Sequence, residues 1–470
     1  MKKIILVLSA LVLMFQFSFP VILNVPGTYS TIQEGINASV NGDTVLVEQG
    51  TYMENINFRG KRIVLTSRYY VTNDPATIAA TIINGSTPVN PDTASCVIIS
   101  SGEDSTTVLQ GFTLTGGGGT RWEDEHGLGS WYREGGGILI QYSFPIIQNN
   151  IIKDNNITNN TNVVSTGGGG IRMGDSYPRI RNNIIMRNSG KYGAGIVLNF
   201  SGAEISNNII CLNFGSTSYG SGAGIWMTGP FTRPKLIFNN TIVYNSASTG
   251  TAGVLCASST TLKNNIIWGN STVTQVQGSV SATYNDVQGG YSGSGNINAD
   301  PLFNDSNYIL LSSSPCVDKG DSNTIYNDLP DPGNPTLAKY PSRGGLRNDI
   351  GAYGGPLAKI LTNSIIGIKQ ISGEVPSGFA LNQNYPNPFN PKTVISFSIW
   401  IPSGQLAVNS LIKLTIYDIL GREIQTIVNE KLSPGTYEVK FDGSEYGSGV
   451  YFYSLETGSY RITRKMILAK

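Results

Sequence analysis

Charge is scarce in this chain, and histidine is almost missing. Lysine plus arginine number 32 and aspartate plus glutamate 31 among 470 residues, so charged side chains are only 13% of the total, against about 25% in ordinary soluble domains. The formal net charge is +1 and no basic run occurs, which leaves no electrostatic footprint for nucleic acid. The single histidine, His126, gives no support to a catalytic triad or a multi-histidine metal site. Four cysteines, Cys96, Cys211, Cys256 and Cys316, are widely spaced and form no CxxC pair. That spacing argues against a thiolate metal site, and disulfides, although an exported location would permit them, are not indicated. Long apolar runs are also lacking. The exception runs from Ile4 to about Phe19, behind Lys2 and Lys3 and interrupted by Ser9, Gln16 and Ser18. It is shorter than the ~20 residues of a spanning helix, so residues 1–20 read as a secretory signal peptide, with an uncleaved anchor as the alternative. No other segment is predicted to cross a bilayer.

What is abundant is glycine, 56 of 470 residues, and it is ordered. A glycine-hydrophobic step recurs at Gly137-Ile138, Gly170-Ile171, Gly195-Ile196, Gly224-Ile225 and Gly253-Val254, at intervals of 33, 25, 29 and 29 residues. Each is followed by an asparagine pair: Asn149-Asn150, Asn182-Asn183, Asn207-Asn208, Asn239-Asn240 and Asn264-Asn265. Two residues after each pair stand Ile152, Ile185, Ile210, Ile242 and Ile267, and five after it Asn155, Asn188, Asn213, Asn245 and Asn270. Three before the second asparagine stand Ile147, Ile180, Ile205, Ile237 and Leu262. A period of this length, varied only by insertions, marks a solenoid. The segments are too short, too β-branched and too rich in Asn and Gly for helices. They predict parallel strands about 4.8 Å apart, with like side chains stacked and buried asparagines forming ladders from coil to coil. Low charge fits, because like charges stack poorly at that spacing, and tight corners call for glycine. Cys256 falls in the column of Ile140, Met173, Leu198 and Met227 and is expected to be a small buried hydrophobe.

Before the repeats, Ser30-Thr31-Ile32-Gln33-Glu34 offers two overlapping capping boxes ahead of a short helix carrying Ile32, Ile36 and Val40, placed to cover the open end of the first coil. The phrases Gly42-Asp43-Thr44-Val45-Leu46-Val47, Gly50-Thr51-Tyr52-Met53-Glu54-Asn55-Ile56 and Leu109-Gln110-Gly111-Phe112-Thr113-Leu114-Thr115-Gly116 resemble the opening coils of right-handed parallel β-helix proteins of the pectin-lyase-like superfamily. Arg347-Asn348-Asp349-Ile350-Gly351-Ala352-Tyr353-Gly354-Gly355 resembles the closing segment of many exported bacterial β-helix proteins. The likeness spans roughly residues 24 to 357 and implies a fold rather than an activity, since this architecture hosts lyases, hydrolases, epimerases and adhesins. Between Asp321 and Asn334, Asp328 and Asp331 could serve as calcium ligands, but without EF-hand order a solvated loop is the favoured reading and no cofactor is assigned.

After a linker-like stretch, residues 358–379, a second domain is expected over 380–470. Alternating runs with frequent turns argue a small β-sandwich. Leu381-Asn382-Gln383-Asn384-Tyr385-Pro386-Asn387-Pro388-Phe389-Asn390-Pro391, Leu414-Thr415-Ile416-Tyr417-Asp418-Ile419-Leu420-Gly421-Arg422 and the ending Arg464-Lys465-Met466-Ile467-Leu468-Ala469-Lys470 closely resemble the immunoglobulin-like C-terminal sorting domain of type IX secretion cargo. That resemblance implies type IX secretion machinery as a partner and delivery to the medium or the outer surface of a Gram-negative cell. An Ig-like adhesion module without a sorting role is the alternative. The fold class is thus all-β, a right-handed parallel β-helix followed by a small Ig-like β-sandwich.

Function is harder to extract. Polysaccharide lyases need a basic residue to take the proton beside a carboxylate, and hydrolases need paired carboxyls. The outward positions beside the glycine step read Leu139, Arg172, Val197, Trp226, Leu255 and Gln141, Gly174, Asn199, Thr228, Ala257; those after the asparagine pair read Lys153, Met186, Cys211, Val243, Trp268. None is a carboxylate, and Arg172 and Lys153 read as surface charges. Chemistry concentrates instead between Gly119 and Gly135, in a stretch that holds Trp122, Asp124, Glu125, His126, Trp131 and Tyr132. Such an insertion either folds over the flank, burying Trp122 and Trp131 and pairing Arg121 and Arg133 with local acids, or holds a sugar between aromatic faces and carboxylates; a catalytic loop is a third reading. The expected function is a glycan-binding, adhesive or structural element, with extracellular polysaccharide as partner. The alternative is a polysaccharide lyase or hydrolase of the pectin-lyase-like type.

Overall fold

The computed structural model describes residues 20–470 apart from 125, 216–221, 231, 305–306, 362–367, 373–375, 401–409, 433–434, 444–445 and 459; the expected signal peptide lies outside the described residues. The first part is a parallel β-helix with three faces. Ile138–Gln141, Ile171–Gly174, Ile196–Asn199 and Ile225–Thr228 stack as face 1, directly after the glycine step. Ile146–Gln148, Arg179–Arg181, Ala203–Ser206 and Lys235–Phe238 form face 2. Face 3 follows the asparagine pair, in Ile151–Lys153, Ile184–Met186, Ile209–Cys211, Thr241–Val243 and Ile266–Trp268. Faces 1 and 2 join into one 16-stranded sheet where Val254–Lys263 runs through both, and face 3 has nine strands.

The isoleucine columns stack as the repeat predicts. Ile152 is opposite Ile185, Ile185 opposite Ile210, Ile210 opposite Ile242 and Ile242 opposite Ile267, and all five are fully buried. Cys256 lies in the same core, and all four cysteines are buried and free. Both asparagine ladders are present. Asn150, Asn183, Asn208, Asn240, Asn265 and Asn285 hand on Nδ2-to-Oδ1 bonds of 2.9 to 3.1 Å. Asn155, Asn188, Asn213, Asn245 and Asn270 do the same at 2.9 to 3.0 Å. Each Oδ1 also accepts the preceding asparagine's backbone N–H, and each Nδ2 reaches a main-chain carbonyl, so a buried amide is satisfied on every side.

The glycine step itself answers to close packing rather than to a corner. Gly170 lacks positive φ; a Cβ there would lie 2.5 Å from Gly195 O and 2.9 Å from Ile185 Cγ2. Close approach of neighbouring coils, rather than a corner, excludes a side chain. The left-handed corners fall just before the step, on Gly135, Gly168, Gly193 and Gly222 at φ 52 to 67°, and on other residue types along the coil: Asn149, Asn182, Asn207, Asn239 and Asn264 at φ 51 to 56°, and Tyr142, Asp175 and Phe200 at 44 to 50°. Single non-glycine residues off the preferred region cost about 1–2 kcal/mol each, which stacking must offset.

The helix Ile32–Ala38 caps the stack. Thr31 and Glu34 complete a capping box, and Ile32 and Ile36 enter the core, whereas Val40 lies beyond the helix and is half exposed. At the other end the chain turns back along the outside of face 3. Tyr308, Ile309, Leu310, Cys316, Ile350, Ala352 and Tyr353 bury against Ile151, Ile184, Met186, Ile209, Cys211 and Ile266. The first asparagine of the last three pairs serves this strap: Asn207 donates to Ala352 O and Gly354 O at 3.0 and 2.8 Å, Asn239 to Asn348 Oδ1 and Asp349 O, both at 3.1 Å, and Asn264 Oδ1 accepts the Asp321 N–H at 2.8 Å.

The C-terminal part is a sandwich of two four-stranded antiparallel sheets. One holds Ile368–Ser372, Gly435–Asp442, Lys392–Ile399 and Ala380–Leu381; the other Glu423–Leu432, Ser410–Tyr417, Gly449–Thr457 and Tyr460–Leu468. The stretch 358–379 therefore contributes an edge strand. Phe397, Tyr437, Phe441, Leu414, Ile416, Tyr453 and Leu455 fill the interior. The asparagine-proline phrase is tied in by Asn387, whose Oδ1 accepts Ile467 N–H at 2.9 Å, and by Asn384, whose N–H reaches the Tyr453 hydroxyl at 2.8 Å.

Replacing Asn208 by alanine leaves buried ladder partners unpaired at ~1–3 kcal/mol each, so chemical denaturation is expected to show a loss of roughly 2–4 kcal/mol. A second expectation concerns pH. Asp286 is buried beneath Cys316, whose thiol donates to it at 3.1 Å, and burial pushes its carboxyl up to about 6. Burial, with repulsion from Asp349, likewise raises Asp328 in the strap, and burial, with repulsion from Asp318, raises Asp349. These carboxyls hold protons more tightly folded than unfolded, so stability should fall as pH rises from about 4. Asp286→Asn should flatten the part of the Tm-against-pH curve between about 4 and 6.

Candidate ligand cleft on face 1

Residues 119–134 fold as a hairpin, Gly119–Glu123 against Trp131–Glu134, with Trp122 opposite Tyr132 and Arg121 opposite Arg133. Thr93–Ala94 pairs along one edge and Ser165–Gly167 along the other, giving a four-stranded sheet beside the coils. Strand alternation divides its side chains. Arg121, Trp131 and Arg133 share one side, with Arg121 over the Trp131 ring at 3.9 Å and buried Arg133 paired with Asp92 at 2.6 Å. Trp122, Tyr132 and Glu134 share the other, which faces the outer surface of face 1.

Under that side lies Arg172, expected as a surface charge but fully buried. Its Nε bonds Glu134 Oε2 at 3.1 Å, its Nη1 donates to Gln141 Oε1, and its guanidinium plane lies 3.5 Å from the Trp122 ring centroid. Gly174 makes this possible, because a Cβ there would come within 2.5 Å of the guanidinium nitrogens. Glu134 also accepts Trp122 Nε1–H at 3.1 Å and the Tyr192 hydroxyl. Burial pushes the Glu134 carboxyl up against the pull of Arg172, and burial together with Glu134 raises Tyr192. This cluster pins the hairpin to the coil.

Beside it opens a cavity of about 240 Å³ lined by Trp122, Asp124, Tyr132, Glu134, Tyr192, Asn199, Phe200, Trp226 and Thr228. Tyr192 and Trp226 meet with ring centroids 4.8 Å apart, and Trp122 and Tyr132 at 5.6 Å. His126, near the hairpin tip, stacks on Phe200 at 3.7 Å, and its Nε2 is 3.0 Å from Asp175 Oδ1. Both partners occupy the left-handed corner column that ends face 1.

Of the six residues singled out in the insertion, Trp122, Asp124 and Tyr132 line the cavity, His126 latches its edge, Trp131 faces away and Glu125 lies outside the described residues. Sequence reasoning missed Glu134 as a partner of Arg172, and it missed Tyr192, Phe200, Asn199, Trp226 and Thr228 as lining. The one available signal was Trp226, the sole aromatic in the outward column of Leu139, Arg172, Val197 and Leu255. Asp328 accepts the Asp349 and Gly355 amides, and Asp331 that of Gly333. No group of three or more His, Cys, Asp or Glu able to hold a metal occurs among the described residues.

Breaking a buried ion pair by removing one partner costs about 3–5 kcal/mol, while replacing both costs less. Arg172→Met is expected to lose that much in a denaturant titration, and the double variant Arg172→Met/Glu134→Gln to recover a measurable part.

No helix among the described residues is long and apolar enough to cross a membrane. No curated protein matches the chain. A family model does match part of it, the one described as a secretion system C-terminal sorting domain, over residues 383–469. That region is the antiparallel sandwich less its first two strands, and it bears out the likeness of its asparagine-proline opening and its basic-apolar ending. The chain is an exported protein whose parallel β-helix is carried by a C-terminal type IX sorting domain.

Proposed function

We propose that the β-helix is a surface-displayed or secreted carbohydrate-binding element and that the cleft on face 1 is its sugar site. The observation that carries this reading is the lining: five aromatic rings from three coils and a hairpin, with Asp124, Asn199 and Thr228 among them, around one small cavity. Apolar ring faces with a few placed polar groups are what a pyranose requires. At about 240 Å³ the cavity falls below the roughly 300–1,000 Å³ of drug-sized sites, which suits a single ring of a longer chain. Export by the sorting domain puts such a site where polysaccharide is met.

Polysaccharide cleavage of the pectin-lyase-like type is the second reading, favoured by one observation, a cavity-lining Glu134 whose carboxyl is raised by burial. Against it, both oxygens of Glu134 are already engaged by Arg172, Trp122 and Tyr192. A glycan array probed with the purified chain is expected to give binding that falls at least about tenfold in Trp226→Ala and in Tyr132→Ala. Binding that survives both changes would move the site elsewhere, and release of reducing ends that vanishes in Glu134→Gln would favour the enzyme.

A further inference from the structure

The charges around the cleft are one-sided. Asp124 and Glu134 line it, and no lysine, arginine or histidine does. The nearby cations are largely committed elsewhere. Arg172 is buried behind the Trp122 ring with Nε on Glu134 and Nη1 on Gln141, and only its buried Nη2 has no hydrogen-bond partner among the described residues. His126 Nε2 is engaged by Asp175, and Arg121 stacks on Trp131 on the far side of the hairpin. Asp124 differs from Glu134. Among the described residues its carboxylate has one hydrogen bond, Oδ1 from His126 N–H at 3.1 Å, which leaves Oδ2 available to a ligand.

A carboxylate or sulfate entering this cleft would give up water without gaining a counter-ion and would meet Asp124 at short range, where the low dielectric of a partly closed site strengthens repulsion. An ammonium group meets the opposite situation. Resting on the sugar-site reading above, we infer that the cleft selects sugars without negative charge and prefers amine-bearing hexosamine units, and that Asp124 sets this preference. Acidic polymers such as uronans, which the fold resemblance alone would suggest, are then rejected by charge rather than by shape.

Titration calorimetry on the full chain with length-matched oligomers of glucosamine, N-acetylglucosamine and galacturonic acid tests this. Affinity is expected to fall in that order, with about tenfold or more between the first and last. Asp124→Asn, which can still accept the His126 N–H, should weaken glucosamine oligomers about fivefold or more and shrink their advantage over N-acetylglucosamine oligomers by a similar factor. Circular dichroism and an unchanged Tm confirm that the variant is folded; if it is not, the pH dependence of wild-type binding replaces it, with glucosamine affinity lost as its amine deprotonates. Galacturonate binding as tight as glucosamine binding, and abolished by Trp226→Ala, would overturn the charge selection while leaving the sugar site in place. Failure of all three oligomers together with a blank glycan array would remove the sugar site itself.

Discussion

The spacing between neighbouring coils governs everything else in the first part of this protein. Strands less than 5 Å apart place identical side chains in register, so a residue is tolerated only if it packs against copies of itself. Isoleucine satisfies this in the core, and asparagine satisfies it where the backbone turns, because an amide is donor and acceptor at once and can pass a hydrogen bond to its own kind. The ladders from Asn150 to Asn285 and from Asn155 to Asn270 are that rule written twice. Glycine enters for the same reason, where the backbone of one coil lies against the next too closely for a Cβ.

A stack so regular offers little chemistry of its own, and the candidate site is built where regularity is broken. The hairpin 119–134 interrupts the coils and pairs with the strand Ser165–Gly167, which itself bonds to the next coil through Thr166 O and Lys191 N–H at 3.0 Å. They are fixed to face 1 by the Glu134 and Arg172 pair and to the corner column by His126 on Phe200 and Asp175. Corner residues in left-handed conformation are held by the coils above and below, so the scaffold supplies rigid anchoring points for the tip of the hairpin. The same economy appears on face 3, where the strap from Tyr308 to Tyr353 is docked by the outward asparagines.

How much of this was legible depends on whether a feature repeats. Ile152, Ile185 and Ile210 are visible as a column because three equivalent positions carry the same demand. Asn207 and Asn208 are adjacent and identical in letter, yet one turns outward with positive φ to hold the strap and the other inward to the ladder; only the backbone distinguishes them. Arg172 shows the limit most clearly. The alternation that assigns it to the outside of face 1 is right, but whether the outside is wet depends on a hairpin 38 residues earlier. Cys211, also outward, is buried by the strap more than 90 residues later. In the sandwich, the asparagine-proline phrase was recognisable as a string, while its role in tying Asn387 to Ile467 was not.

By itself the sequence determined the period, the residues that face the core, the polar ladders, the cap and the presence of a second, sorting domain, because each is encoded locally and repeated or matched as a phrase. The tertiary structure alone decided which outer surfaces are covered, which carboxylates lose their solvent, and where aromatic side chains from separate coils converge. Stacking is a nearest-neighbour interaction and leaves its period in the chain, whereas a lid docks across coils through contacts that occur once, and a contact made once leaves no pattern to read.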